Sequence, residues 1–160
     1  MGLFRRPNQV VRPRRDGRFD IVLALGVRAA IERAVDEVDA LLDEPDLPVL
    51  ARLRPDAYPD DPERAAAWQL LAGDELRTAR REAFATVRRL HAASTATDEE
   101  LWTWMRALNT LRLVLGTALG IEDDREERPE PAEDDPARPV WELYQLTTLV
   151  QFELVRALRD

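Results

Sequence analysis

His91 and Ser94 are the chain's one histidine and one serine, and they stand three residues apart. A Ser-His-Asp triad would have to be built from this pair. The run around them, His91-Ala92-Ala93-Ser94-Thr95, carries no glycine of a nucleophile elbow and reads as a helix end. There is no cysteine and no lysine, which removes thiolate, Schiff-base and P-loop lysine chemistry together. A single imidazole does not make a histidine-based zinc site. Carboxylates, tyrosines and arginines are what remain for chemistry. The expectation is therefore a protein that is not an enzyme, with no cofactor and no metal.

Three groups of side chains are candidates for contact rather than catalysis. Asn109 and Arg112 form a polar pair at i, i+3 in a mostly apolar stretch, and must find hydrogen-bond partners where buried. We favour a structural network in which Arg112 meets the turn carrying Asp56, Tyr58, Asp60 and Asp61; the alternative is a contact site for a partner or ligand. Trp102, Trp104 and Trp141 are candidates for an interface patch, although large aromatics at helical spacing are more often core. Trp102 and Trp104 are two apart and cannot share one narrow helix face, so one of them is the better interface candidate. The third group is the basic N-terminus: Arg5, Arg6, Arg12, Arg14, Arg15 and Arg18. Six arginines against one aspartate give residues 1–18 a charge of +5; the whole chain is −8, so the remainder carries −13. Such an arm can touch phosphate or an acidic partner, while the acidic body argues against a broad nucleic-acid surface.

These residues must be positioned by helices. At 160 residues and 45% hydrophobic content the chain is long enough for one domain with a real core. Residues 1–17 read as a basic arm or hairpin strand, and 18–160 as a single helical domain. Asp16-Gly17 between two β-branched runs signals a small hairpin over residues 9–22, weakened by Pro13; the alternative is a disordered arm. Apolar residues at Val27, Ile31, Val35, Val38 and Leu42 predict a helix to about Asp43. Pro48 can open a short helix. Asp61-Pro62-Glu63 starts a second long helix, with a stripe from Ala65, Trp68 and Leu71 to Val87 and Leu90, and with Gly73-Asp74 as the place where it can kink or split. Thr97 with Glu100 is a capping box for a third helix that is apolar on more than one face and ends at Gly120. Residues 122–138 hold nine acids and read as a solvated linker. The last helix, from about Pro139 to Leu158, repeats Val140, Leu143, Thr147, Val150, Leu154 and Ala157 in a heptad-like pattern. The predicted class is all-α: four main helices plus one short helix, with a small N-terminal β-hairpin. No apolar run is long enough to span a membrane and no signal-peptide core follows the first arginines, so the default compartment is the cytoplasm.

Three stretches resemble a known family. They are Leu53-Arg54-Pro55-Asp56-Ala57-Tyr58-Pro59-Asp60-Asp61-Pro62-Glu63; Met105-Arg106-Ala107-Leu108-Asn109-Thr110-Leu111-Arg112-Leu113-Val114-Leu115-Gly116-Thr117; and Leu146-Thr147-Thr148-Leu149-Val150-Gln151-Phe152-Glu153-Leu154-Val155. They are similar to an actinobacterial family catalogued as domain of unknown function number two thousand and seventeen. The resemblance implies an actinobacterial cytoplasmic protein, often encoded beside the Clp protease adaptor. It also implies a regulator working by protein contact, with the transcription or Clp machinery as possible partners; the apolar helices separately suggest a homodimer. The redox cysteine pair described for some members cannot operate in a chain without cysteine. The resemblance supplies no catalytic residue. The expected function is a non-enzymatic regulatory or adaptor protein acting by protein contact; the alternative is a small DNA-binding regulator using its arginine arm.

Overall fold

The N-terminal hairpin forms. In this computed structural model, which describes residues 9–54, 56–122 and 128–159, β1 (Val11–Pro13) pairs antiparallel with β2 (Phe19–Ile21), Val11 opposite Ile21 and Pro13 opposite Phe19. The loop closes through the Arg14 N–H on the Arg18 carbonyl at 2.8 Å. Gly17 takes φ +77° there, a backbone conformation that favours glycine. Pro13 lies on the edge strand, where a missing N–H is tolerated. A third strand, β3 (Thr95–Ala96), pairs with the other edge of β2. Two residues are too few to carry a readable alternation. Val10 and Val11 are buried, which makes the hairpin part of the core where it is described.

Four long helices build the rest: α1 (Leu25–Leu41), α2 (Pro62–Ala93), α3 (Asp98–Ala118) and α4 (Arg138–Arg159), with a 3₁₀ helix at Pro48–Leu53. α3 is the axis. It packs against α2, α4 and the 3₁₀ helix, and Leu101, Trp104, Leu108 and Leu111 are fully enclosed. That explains its apolar residues on more than one face. Its start is the expected capping box, with Thr97 Oγ1 accepting from the Glu100 N–H at 3.2 Å and Glu100 accepting from the Thr97 N–H at 2.8 Å. Its end is a Schellman motif. Gly120 sits at φ +68°, the Ile121 N–H reaches the Gly116 carbonyl at 2.8 Å, and the Gly120 N–H reaches that of Thr117 at 3.0 Å.

α2 starts as expected, with Pro62 in the first turn and Asp61 accepting from the Arg64 N–H at 3.1 Å. It does not split at Gly73-Asp74; the helix is continuous for 32 residues. One interior glycine costs only about 1 kcal/mol, and Arg77 pairs back to Asp74 at 2.8 Å across that turn. Its predicted stripe is core in the second half alone: Ala83, Val87 and Leu90 are buried, joined by Phe84, whereas Leu71 is 82% exposed. Helical periodicity marks a face without saying whether anything covers it. In α4 the heptad-like residues Thr147, Val150 and Leu154 are buried in the chain's own core.

Arg28 holds the sheet to the helices. Its guanidinium donates to the carbonyls of Leu23 at 2.9 Å, Ile21 at 2.9 Å and His91 at 2.7 Å, and to Ser94 Oγ at 3.2 Å. One side chain thus closes the end of α2, the exit of β2 and the entry to α1. Arg81 and Arg88 on α2 bridge to Asp36 and Asp39 on α1 and to Asp43 in the turn that follows it. The described part of the acidic linker is solvent-facing but pinned, since Arg138 reaches Glu130 at 2.6 Å and the Pro131 carbonyl at 2.9 Å. No helix among the described residues is long and apolar enough to cross a membrane.

Candidate functional site: a groove between α2, α3 and α4

His91 and Ser94 are structural. The His91 side chain is 1% exposed, with Nδ1 2.9 Å from Glu32 Oε1 and the ring edge-on to Trp104 at 5.3 Å between centroids. Burial pushes its pKa below the usual histidine value, opposed by the Glu32 carboxylate. Ser94 caps α2 in the left-handed region at φ +60°, and its hydroxyl accepts from Arg28. No hydrogen bond joins His91 to Ser94 among the described residues. No group of three or more acidic or imidazole side chains among the described residues is arranged to hold a metal ion.

Arg112 does anchor a network, but with α4 as its partner. Its Nε donates to Thr148 Oγ1 at 3.1 Å, Nη1 to Gln151 Oε1 at 3.2 Å and Nη2 to the Tyr144 hydroxyl at 3.2 Å. Among the described residues none of its hydrogen bonds goes to the 56–61 turn. That turn serves α2: Asp61 is its cap, Tyr58 lies under the Arg64 guanidinium at 4.4 Å, and Asp56 and Asp60 face solvent. The sequence contained the network; the fold decided that α4, lying alongside α3, would complete it.

The three tryptophans separate. Trp104 is fully buried and Trp141 half-buried, each with an indole N–H that has no partner among the described residues. Trp102 is 48% exposed. The basic N-terminus is neutralised in part where described. Arg12 pairs with Asp20 at 3.0 Å, and Arg14 pairs with both Asp16 and Asp20 at 3.0 Å. Hydrogen bonds from these arginines hold both aspartates below the usual carboxylate range. Arg18 reaches Thr95 Oγ1 at 3.4 Å. Arg15 is exposed, and Arg5 and Arg6 lie outside the described residues.

Trp102 and Asn109 come together on the rim of a groove of about 510 Å³. α2 contributes Leu76, Ala79, Arg80 and Ala83; α3 contributes Trp102, Met105, Arg106, Asn109 and Thr110; α4 contributes Gln151. Gln151 is held in place from behind. Its Oε1 takes the Arg112 bond and its Nε2 donates to the Met105 carbonyl at 3.4 Å. Arg112 is therefore one layer behind the groove, as a positioning residue. Arg80 and Arg106 are the side chains that the sequence did not single out, because nothing in their spacing distinguishes them from the chain's other arginines.

No aspartate or glutamate lines this groove. Arg80 donates to the Leu53 carbonyl at 2.6 Å and Arg106 to Thr103 Oγ1 at 2.8 Å; among the described residues neither forms an ion pair with a carboxylate. Burial alone lowers the pKa of Arg80. A second groove of about 500 Å³ runs along the opposite side of the first half of α2, against the 3₁₀ helix. Its Arg54 and Arg77 are answered by Asp46 at 3.1 Å and Asp74 at 2.8 Å. Arg80 borders both.

The fold and the site define a mostly helical bundle with an open, arginine-bearing surface groove. The chain belongs to the family described as Domain of unknown function (DUF2017), whose model matches residues 4–158. No curated relative and no solved structure matches it.

Proposed function

We propose that this chain is a non-enzymatic regulatory or adaptor protein that binds another protein at the groove between α2, α3 and α4. The observation that carries the proposal is Trp102 exposed beside Arg80 and Arg106 in a groove that offers them no carboxylate. Tryptophan and arginine are the side chains that most often dominate binding energy at interface centres. Met105 and Leu76 supply an apolar floor, and Asn109 and Gln151 supply amide donors and acceptors around it. The family resemblance makes the transcription or Clp machinery the partner class to examine, in the cytoplasm. The DNA-binding alternative loses support because Asp16 and Asp20 occupy Arg12 and Arg14. Self-association through the heptad-like stripe of α4 loses support because that stripe is core.

The test is site-specific photo-crosslinking in the host. A photoreactive residue replaces Asn109 in one strain and the exposed Glu37 of α1 in another. A reproducible adduct with one protein from position 109 and not from 37 is the expected result. Adducts from 37 alone, or from 109 with a second copy of the chain alone, would overturn the proposal.

A further inference from the structure

Resting on that function, we infer that the groove's occupant is an acidic, apolar segment of the partner protein, with carboxylates placed on Arg80 and Arg106 and a large apolar side chain against Trp102. The chain as a whole is acidic, at −8. Many of its arginines, Arg12, Arg14, Arg54, Arg77, Arg81, Arg88, Arg89 and Arg138 among them, have carboxylates at ion-pair distance, while others such as Arg28 and Arg52 donate to carbonyls inside the fold. The groove brings two arginines together on one surface with no acid in its lining.

Arg80 carries the most weight. It is half-buried, and among the described residues a single carbonyl accepts from its guanidinium, which has five N–H donors. A desolvated cation gains most from a carboxylate that arrives with its own desolvating neighbours. Arg106, exposed at the rim, adds a second point of charge one helical turn from Trp102. The apolar floor of Leu76 and Met105 selects against a purely acidic tail. The open shape selects against a small ligand, which binding sites enclose over most of its surface. A nucleic-acid backbone would bring a line of phosphates onto an acidic body, whereas a short peptide brings its charge within one Debye length, about 8 Å at physiological salt. The neighbouring groove against the 3₁₀ helix has its own aspartates and is not selective for acid.

The experiment is selection of a random peptide library displayed on phage against the full chain, followed by fluorescence anisotropy on the synthesised winners. The expected winners combine Asp or Glu with Leu, Phe or Trp. Their affinity falls at least about tenfold in R106E and in W102A, as for interface hot spots, while the melting temperature of both variants stays at the wild-type value. Their affinity also falls with added salt, and an Asp→Arg or Glu→Arg change in the peptide restores part of the binding to R106E. R80Q, checked for an unchanged melting temperature, weakens the same peptides. Winners that lose affinity in W102A yet carry no acid would overturn the acidic-segment inference and leave the groove as the binding face. Winners indifferent to both W102A and R106E, or no winners at all, would overturn both.

Discussion

The two halves of α2 have the same helix and opposite fates. Between residues 83 and 91 it buries Ala83, Phe84, Val87, Leu90 and His91 against the core. Over residues 62–80 no side chain is fully buried, and Leu70 and Leu71 are each 82% exposed. The buried half is an anchor: Arg28 clamps its C-terminus to the sheet, and Arg81 and Arg88 tie it to α1. The exposed half is a wall between two grooves, continuous with the anchored half. Packing therefore sets stability at one end of the helix and leaves the other end available for contact, as binding segments require.

The comparison breaks if the halves respond alike to mutation. The largest effect is expected at Phe84→Ala, which leaves a cavity beside fully buried neighbours and should cost about 3–5 kcal/mol, read as a lower urea midpoint. Arg28→Ala comes next. It orphans several carbonyls at once and should cost about 2–3 kcal/mol, with hydrogen exchange accelerating first at Ile21, whose N–H is bonded to the Ser94 carbonyl. The pH dependence of the anchored half is smaller. Burial lowers the His91 pKa in the folded state, so the unfolded chain binds the proton more readily. Stability should be full at neutral pH and decline as pH falls through about 6.5, the unfolded value, continuing down to the lowered folded pKa. The slope is at most about 1.4 kcal/mol per pH unit, and His91→Gln should flatten it in melts taken between neutral and mildly acidic pH. The smallest effect is expected at Leu70→Ala and Leu71→Ala, each within about 0.5 kcal/mol of wild type. A concentration-dependent loss of melting temperature there would mean that a second copy covers the exposed half in solution.

Much of the bundle was readable because its signals are local. Thr97 with Glu100, Gly120 after an apolar run, Pro62 behind Asp61 and Asp16-Gly17 between β-branched residues each specify a backbone geometry within a few residues. Trp102 and Trp104 were separable for the same reason: two residues of helix turn them to different faces, one enclosed and one exposed. What could not be read is non-local. The stripe from Ala65 to Leu90 looks uniform in sequence, yet only its second half is buried. Arg112 announces a network, but whether the 56–61 turn or α4 completes it depends on which element lies beside α3. Arg80 and Arg106 are distinguished by meeting on a groove whose lining holds no carboxylate, and that is a property of the assembled surface.

The separation of anchor from binding face is tested most directly by affinity capture from the host with the double variant W102A/R106E beside wild type, each paired with its melting temperature. The expected result is an unchanged melting temperature and loss of the protein that co-purifies with wild type. Undiminished recovery of that protein at an unchanged melting temperature would contradict it.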